Sequence, residues 1–208
     1  MQFAKKHYSI REAYWIFYRG VRSMKHLIGA RKRAELSPEF VERIMLAVTE
    51  VNGCGACSYA HTKIALGAGM SSAEIRNILA GVLDDVPDSE VAAVLFAQHY
   101  ADTRGNPTAE AWDRLVDVYG KSAAEGILGA IRAIMVGNVH GIAWTALRGR
   151  LNGSPDPRSS VAYEVAMLLI VLAFLPMSVV HASISGVRGA PLVEFDRWAG
   201  DRVRGRAS

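Results

Sequence analysis

Apolar positions along this chain recur every three to four residues over long stretches, while apolar–polar alternation of strand length is scarce. That spacing predicts helices nearly throughout, and the abundance of Ala, Leu, Met, Glu and Arg agrees with it. "REAYWIFYRGVRSMKHLIGARKRAEL" (11–36) has the pattern of one or two amphipathic helices. "SPEFVERIMLAVTEV" (37–51) opens with a Ser37 N-cap, Pro38 at the first helical position and Glu39 in the first turn. Asn52-Gly53 interrupts it, and a new helix, "CGACSYAHTKIALGAG" (54–69), closes on Gly67 and Gly69. "SSAEIRNILAG" repeats the start and stop signals, with Ser71 or Ser72 as cap and Gly81 at the end. "DSEVAAVLFAQHYADTRGNP", "TAEAWDRLVDVYG" and "SAAEGILGAIRAIMVGNVHGIAWTALRGRLNG" continue the series, and "GSPDPRSS" (153–160) is the one stretch of linker composition. The fold class expected is all-α.

One segment contests a plain globular reading. "VAMLLIVLAFLPMSVVHASISGV" (165–187) carries no formal charge and is long enough to cross a bilayer. Pro176 in its middle, Glu164 just before it and polar residues in its second half favour two buried helices broken at Pro176 instead.

Composition narrows the class. Half of the 208 residues are hydrophobic, 21% are charged, and the net charge is +4, the make-up of a globular chain with a sizeable core. The basic residues gather at the ends, from Lys5 to Arg33 and from Arg197 to Arg206. No nucleic-acid motif accompanies them, so they read as solvated helix faces and a basic tail. Charges in "MQFAKKHYSIREAYWIFYRG" break the unbroken apolar stretch that a signal peptide needs, and two cysteines make no secreted disulfide framework. The expected location is the cytoplasm.

The chemistry concentrates in "EVNGCGACSYAH" (50–61), which holds both cysteines and a histidine four positions on. On a helix, positions 54, 57 and 61 point within about 60° of one another, so Cys54, Cys57 and His61 form one stripe. Residues three apart bring Cβ atoms to roughly 5–6 Å, a spacing from which a disulfide can close. Asn52-Gly53 puts Cys54 at a helix start, where unpaired N–H groups favour a thiolate. His61 can exchange a proton near neutral pH. A zinc site would want a fourth ligand, and no second Cys or His pair exists, leaving Glu50 or Glu42 to complete the set. Two buried cysteines with an ordinary histidine is the plain structural alternative. From spacing alone, Glu50, four residues before Cys54, is the nearest carboxylate; Glu42 reaches only if the chain bends back at Asn52-Gly53. His99 and His140 read as ordinary helix histidines that could line a pocket, and Trp15, Trp112, Trp144 and Trp198 as core or subunit-contact residues.

"ERIMLAVTEVNGCGACSYAHTKIALGAGMSSAEI" (42–75) resembles the signature of the alkylhydroperoxidase AhpD-like group within the carboxymuconolactone decarboxylase superfamily. That signature is a Glu, then CxxCxxxH some twelve residues on, a small-residue helix and a GxS..EI ending. The resemblance implies an all-α, AhpD-like helical bundle, a homo-oligomer, with the CxxC at the mouth of a buried pocket. It makes Cys57 the residue that attacks peroxide, Cys54 the resolving cysteine, and His61 with Glu42 the proton relay; Glu50 stays in reserve. The group's best-known redox members also carry a histidine between the cysteines, where this chain has Gly55 and Ala56.

The whole chain, 1–208, then reads as one domain: N-terminal helices in 1–35, a CxxC core in 36–105 and a candidate second half-repeat in 107–190. A shift of 86 residues lays "GILGAIRAIMVGN" (126–138) over "FVERIMLAVTEVN" (40–52), matching Asn138 to Asn52, with His140 and Ala143 where the cysteines are. The function expected is a thiol-dependent peroxidase or disulfide reductase. It acts on a small hydroperoxide, needs an external dithiol protein as reductant, and calls for no cofactor, no metal, no nucleic acid and no membrane. A decarboxylase-like lactone enzyme on the same fold, and a non-enzymatic redox sensor whose disulfide switches oligomer state, are the alternatives.

Overall fold

The structure, a computed structural model, describes residues 5–195. Among those residues there are eight helices and no strand: α1 (Ile10–Lys32), α2 (Pro38–Asn52), α3 (Gly55–Gly67), α4 (Ser72–Leu79), α5 (Asp88–Asp102), α6 (Ala109–Leu151), α7 (Val161–Leu169) and α8 (Val171–Val187). The starts follow local chemistry. Ser9, Ser37, Ser71, Thr108 and Ser160 each accept a backbone N–H of the first turn, at Glu12, Phe40, Glu74, Ala111 and Tyr163. Ser9 and Glu12 form a reciprocal capping box. Gly120, at φ 73° and ψ 157°, bends α6 where the sequence predicts one helix to end and the next to begin.

The core lies between α1, α2, α5 and the second limb of α6. Phe17, Ile44, Val48, Leu115, Ile127, Leu128 and Ile131 are all buried there. A second, smaller cluster of Leu46, Ile75, Ile78 and Val94 seats α4 against α2 and α5. Buried Arg132 on α6 ties the layers with hydrogen bonds to Tyr100 Oη (2.8 Å), Ser23 Oγ (2.8 Å) and the Leu192 carbonyl (3.1 Å). The N-terminal segment straps this body down: the Lys6 N–H meets the Asn52 carbonyl (3.1 Å), Lys6 Nζ the Ala101 carbonyl (2.6 Å), and Lys5 pairs with Glu50. His7 Nε2 reaches Asp156 at 3.1 Å, which fixes the strap to the turn between α6 and α7. The basic residues of this end thus hold the chain together as well as facing water.

Two expectations from the sequence meet a different structure. Helix α6 runs on through Asn138, His140 and Ala143, so the break that follows Asn52 has no counterpart there. The apolar stretch 165–187 does form two helices, but the break falls at Ile170, six residues before Pro176, and the pair bends by 44°. Pro176 sits in the second turn of α8, and the helix runs on through it. Nor is the pair buried: α7 buries only Glu164 and Met167, and α8 only Ser178 and Ser185. Glu164 is held there by Arg150, at 2.8 Å. Trp198 and Arg197 to Arg206 lie outside the described residues. Among those described, α6 is the one helix that alone is long and apolar enough to cross a membrane, and 72% of its apolar window is buried inside the protein.

Candidate functional site

The chain reverses between α2 and α3 through two residues, Gly53 and Cys54. Gly53 caps α2 in the left-handed region (φ 68°, ψ 37°), and its N–H returns to the Thr49 carbonyl at 2.8 Å. A side chain there would meet two obstacles. The conformation strains any L-residue, and a Cβ would lie 2.4 Å from the Lys5 backbone nitrogen. The turn folds α3 back along α2 and delivers Cys54 as the N-cap of α3.

Cys54 lies just outside the helix, with φ −82° and ψ 97°. Its Sγ accepts the Cys57 N–H at 3.2 Å, filling the role usually taken by a Ser or Asp oxygen. Cys57 sits one turn on, with the two Cα atoms 5.3 Å apart, and the two sulfurs are joined as a disulfide. The environments differ. Cys54 is fully buried, whereas Cys57 keeps 7% of its surface, on a helix whose other residues, apart from Ala65, are at least partly exposed.

The reversal also settles which carboxylate His61 meets. His61 Nδ1 lies 2.8 Å from Glu42 Oε2, nineteen residues away in sequence. The carboxylate accepts, so Nδ1 carries the hydrogen and Nε2 is left to exchange a proton. Glu42 is 7% exposed, a buried carboxylate held by the imidazole. Glu50, the nearer carboxylate by spacing, turns away to Lys5. The straight-helix separation that made Glu42 remote is cancelled by the bend at Gly53.

Helix α6 closes the site from the other side, through residues that sequence reasoning does not find. A Cβ built on Gly141 would stand 2.5 Å from both Cys54 Sγ and Cys57 Sγ. The disulfide therefore rests against bare α6 backbone. One turn further, Thr145 Oγ1 donates to the Gly141 carbonyl at 2.7 Å and accepts the Ala56 N–H at 3.3 Å. That bond satisfies an N–H of α3's first turn that no intrahelical carbonyl can reach. The one signal in the sequence is the small residue at 141 within "GNVHGIAW", beside the His140 that the 86-residue shift aligns with Cys54.

The remaining histidines do other work. His140 Nδ1 is spent on the Val136 carbonyl (3.2 Å), and its ring packs edge-on to Phe17. His99 Nε2 accepts the Thr108 N–H at 3.2 Å and lines a groove of about 590 Å³ between α5 and the first limb of α6, with Leu95, Phe96 and Arg114. None of the groove's lining residues belongs to α2 or α3. Trp112 packs on Phe96, while Trp15 and Trp144 are 38% and 50% exposed. Among the described residues no group of three or more His, Cys, Asp or Glu side chains is arranged to hold a metal ion.

Residues 17–99 match the family described as the carboxymuconolactone decarboxylase family. The match runs from mid-α1 to the last turn of α5. It takes in Glu42, Cys54, Cys57 and His61 and stops short of Gly141 and Thr145. No curated protein and no solved structure matches the chain.

Proposed function

We propose that this chain, whose residues 17–99 match the carboxymuconolactone decarboxylase family, is a thiol-dependent oxidoreductase that reduces hydroperoxides with Cys54 and Cys57. The observation that carries the reading is the bonded cysteine pair at a helix start, with a Glu-supported histidine one turn beyond Cys57.

Each residue takes a role its surroundings support. Cys57 keeps 7% of its residue surface where Cys54 keeps none, so in this reading it is the one a hydroperoxide meets. His61, held upright by Glu42, takes the Cys57 thiol proton. The thiolate attacks the outer peroxide oxygen and the O–O bond breaks. The departing alkoxide takes the proton from His61 and leaves as an alcohol, with Cys57 as a sulfenic acid. Cys54, ionised by the N–H groups of α3, attacks the Cys57 sulfur. The S–O bond breaks, hydroxide leaves and is protonated to water, and the disulfide closes. An external dithiol protein then returns both sulfurs to thiols by exchange, becoming a disulfide itself. A reducing compartment such as the cytoplasm supplies that carrier.

The test is peroxide consumption with excess dithiothreitol. Wild type is expected to turn over, and Cys57→Ser to lose at least about 10²-fold. Cys54→Ser should stop after one turnover with a sulfenic acid that a dimedone probe traps. Turnover of a lactone acid that survives loss of both cysteines would replace this reading with a decarboxylase-like one.

A further inference from the structure

Helix α8 turns a mixed side toward α1. Phe174 packs edge-on against Tyr14 and Phe17, and further along Ser178 and Ser185 are buried with His181 between them. Ser185 Oγ accepts from Tyr18 Oη at 2.8 Å, and His181 Nδ1 lies 2.9 Å from Tyr14 Oη with its ring stacked on Tyr18. The outward side is apolar apart from Ser183, whose hydroxyl donates to the Val179 carbonyl at 2.8 Å. Leu172, Leu175, Met177, Val179, Val180, Ile184 and Val187 are between 46% and 90% exposed. At 3.6 residues per turn this exposed arc spans roughly 200°. Leu169, Val161 and Val165 extend it along α7, each at least 40% exposed.

Water is a poor neighbour for such a face. Together these side chains expose on the order of 1,000 Å², beyond the few hundred that a monomer's largest apolar patch covers. It is comparable with the roughly 800 Å² per partner of a standard protein interface. The tail does not suit it either: residues 196–208 carry four arginines and two aspartates against one tryptophan and one valine.

We propose that the outer face of α7 and α8 is the interface at which a second copy of this chain packs. Two features favour a copy over a lipid surface. Residues 165–187 contain no lysine or arginine, whereas a helix lying on a membrane carries them along its polar flank. Here that flank is used up against α1, by the bonds to Tyr14 and Tyr18. Burying the face in lipid would also draw the charged side of neighbouring α1, with Arg11 and Lys25 exposed, toward the bilayer. A self-complementary apolar face with few polar groups is what the two identical halves of a symmetric dimer share. The arc is wider than a single helix covers, so the partner's α7 and α8 both lie against it. This inference does not depend on the redox reading.

Sedimentation equilibrium of the full chain at micromolar concentration tests it, with and without dithiothreitol. Wild type should have at least twice the chain mass in both conditions. Leu172→Glu with Val180→Glu should lower the association constant at least about 100-fold and leave the circular dichroism melt intact. Val118→Glu, on the first limb of α6, is exposed and apolar but outside the patch; it should keep the wild-type mass. Three results overturn the proposal: a monomeric wild type, an oligomer indifferent to the double substitution, or a monomer that floats with phosphatidylcholine or phosphatidylglycerol vesicles.

Discussion

Cys54 and Cys57 differ in what surrounds them, and the proposed cycle uses that difference. The helix start acts on Cys54, through the N–H of Cys57 at 3.2 Å, while access from outside favours Cys57. In the proposed cycle the less buried Cys57 attacks and Cys54, at the helix start, resolves. Replacing His61 with Ala removes the proton carrier and leaves Glu42 buried without its partner. Peroxide turnover should fall about 10²–10⁴-fold, and Glu42→Gln, which keeps a hydrogen-bonding partner, should fall less; steady-state rates for the two variants check this. Gly141 gives a sharper test. Gly141→Ala forces a methyl onto two sulfurs 2.5 Å away, and overpacking of this kind costs about 1–3 kcal/mol. In a Cys54→Ala/Cys57→Ala background most of that cost should vanish, so denaturant melts of the four proteins should show strong coupling. The cysteine stripe and His61 are legible in the sequence because they lie within eight residues of each other. Gly141 and Thr145 are not, because the contact is made between α3 and a helix nearly ninety residues on, and a glycine leaves no chemical signature there.

At the scale of elements, the site depends on where helices stop. Gly53 is legible as a break, but the sequence does not say how sharply the chain turns. The left-handed cap does, and it converts Glu42 from a remote residue into the partner of His61. Gly53→Ala should therefore destabilise the fold by at least about 1 kcal/mol and lower peroxide turnover, read from melts and rates together. Pro176 misleads in the opposite sense: α8 runs on through it, and the break falls at Ile170. The 86-residue echo aligns apolar periods without reproducing the turn, because Asn138 is followed by valine rather than glycine. The turn after α6 carries a pH dependence. Hydrogen bonding from Arg158 holds the Asp156 carboxyl well below the usual range, and His7 adds to it. A carboxylate with a depressed folded pKa contributes stability above its unfolded pKa, near 4, and loses it as pH falls further. Asp156→Asn should cost roughly 1–3 kcal/mol at pH 7. Its stability should then fall less steeply than wild type below pH 4, as urea melts across that range would record.

For the whole molecule, helical periodicity suffices to read an all-α chain, and the serine caps at 37 and 71 mark the starts of α2 and α4. What periodicity does not distinguish is an apolar helix inside the protein from one at its surface. Helix α6 and the α7–α8 pair look alike as strings of apolar residues, yet α6 is the core and α8 faces outward. The partners decide this: α6 lies between α1, α2 and α5, while α8 has α1 on one side and, among the described residues, no neighbour on the other. The family match covers residues 17–99, which contain both cysteines, His61 and Glu42, and the second limb of α6 supplies the wall the cysteines rest on. The proposal thus comes down to whether two sulfurs at the α2–α3 turn act as one redox unit toward peroxide. Counting free thiols on the reduced, denatured-quenched protein before and after one equivalent of hydroperoxide answers that directly. The account predicts a fall from two thiols to none in wild type, and no disulfide in Cys57→Ser. Two thiols persisting in the folded wild-type protein after peroxide would contradict it.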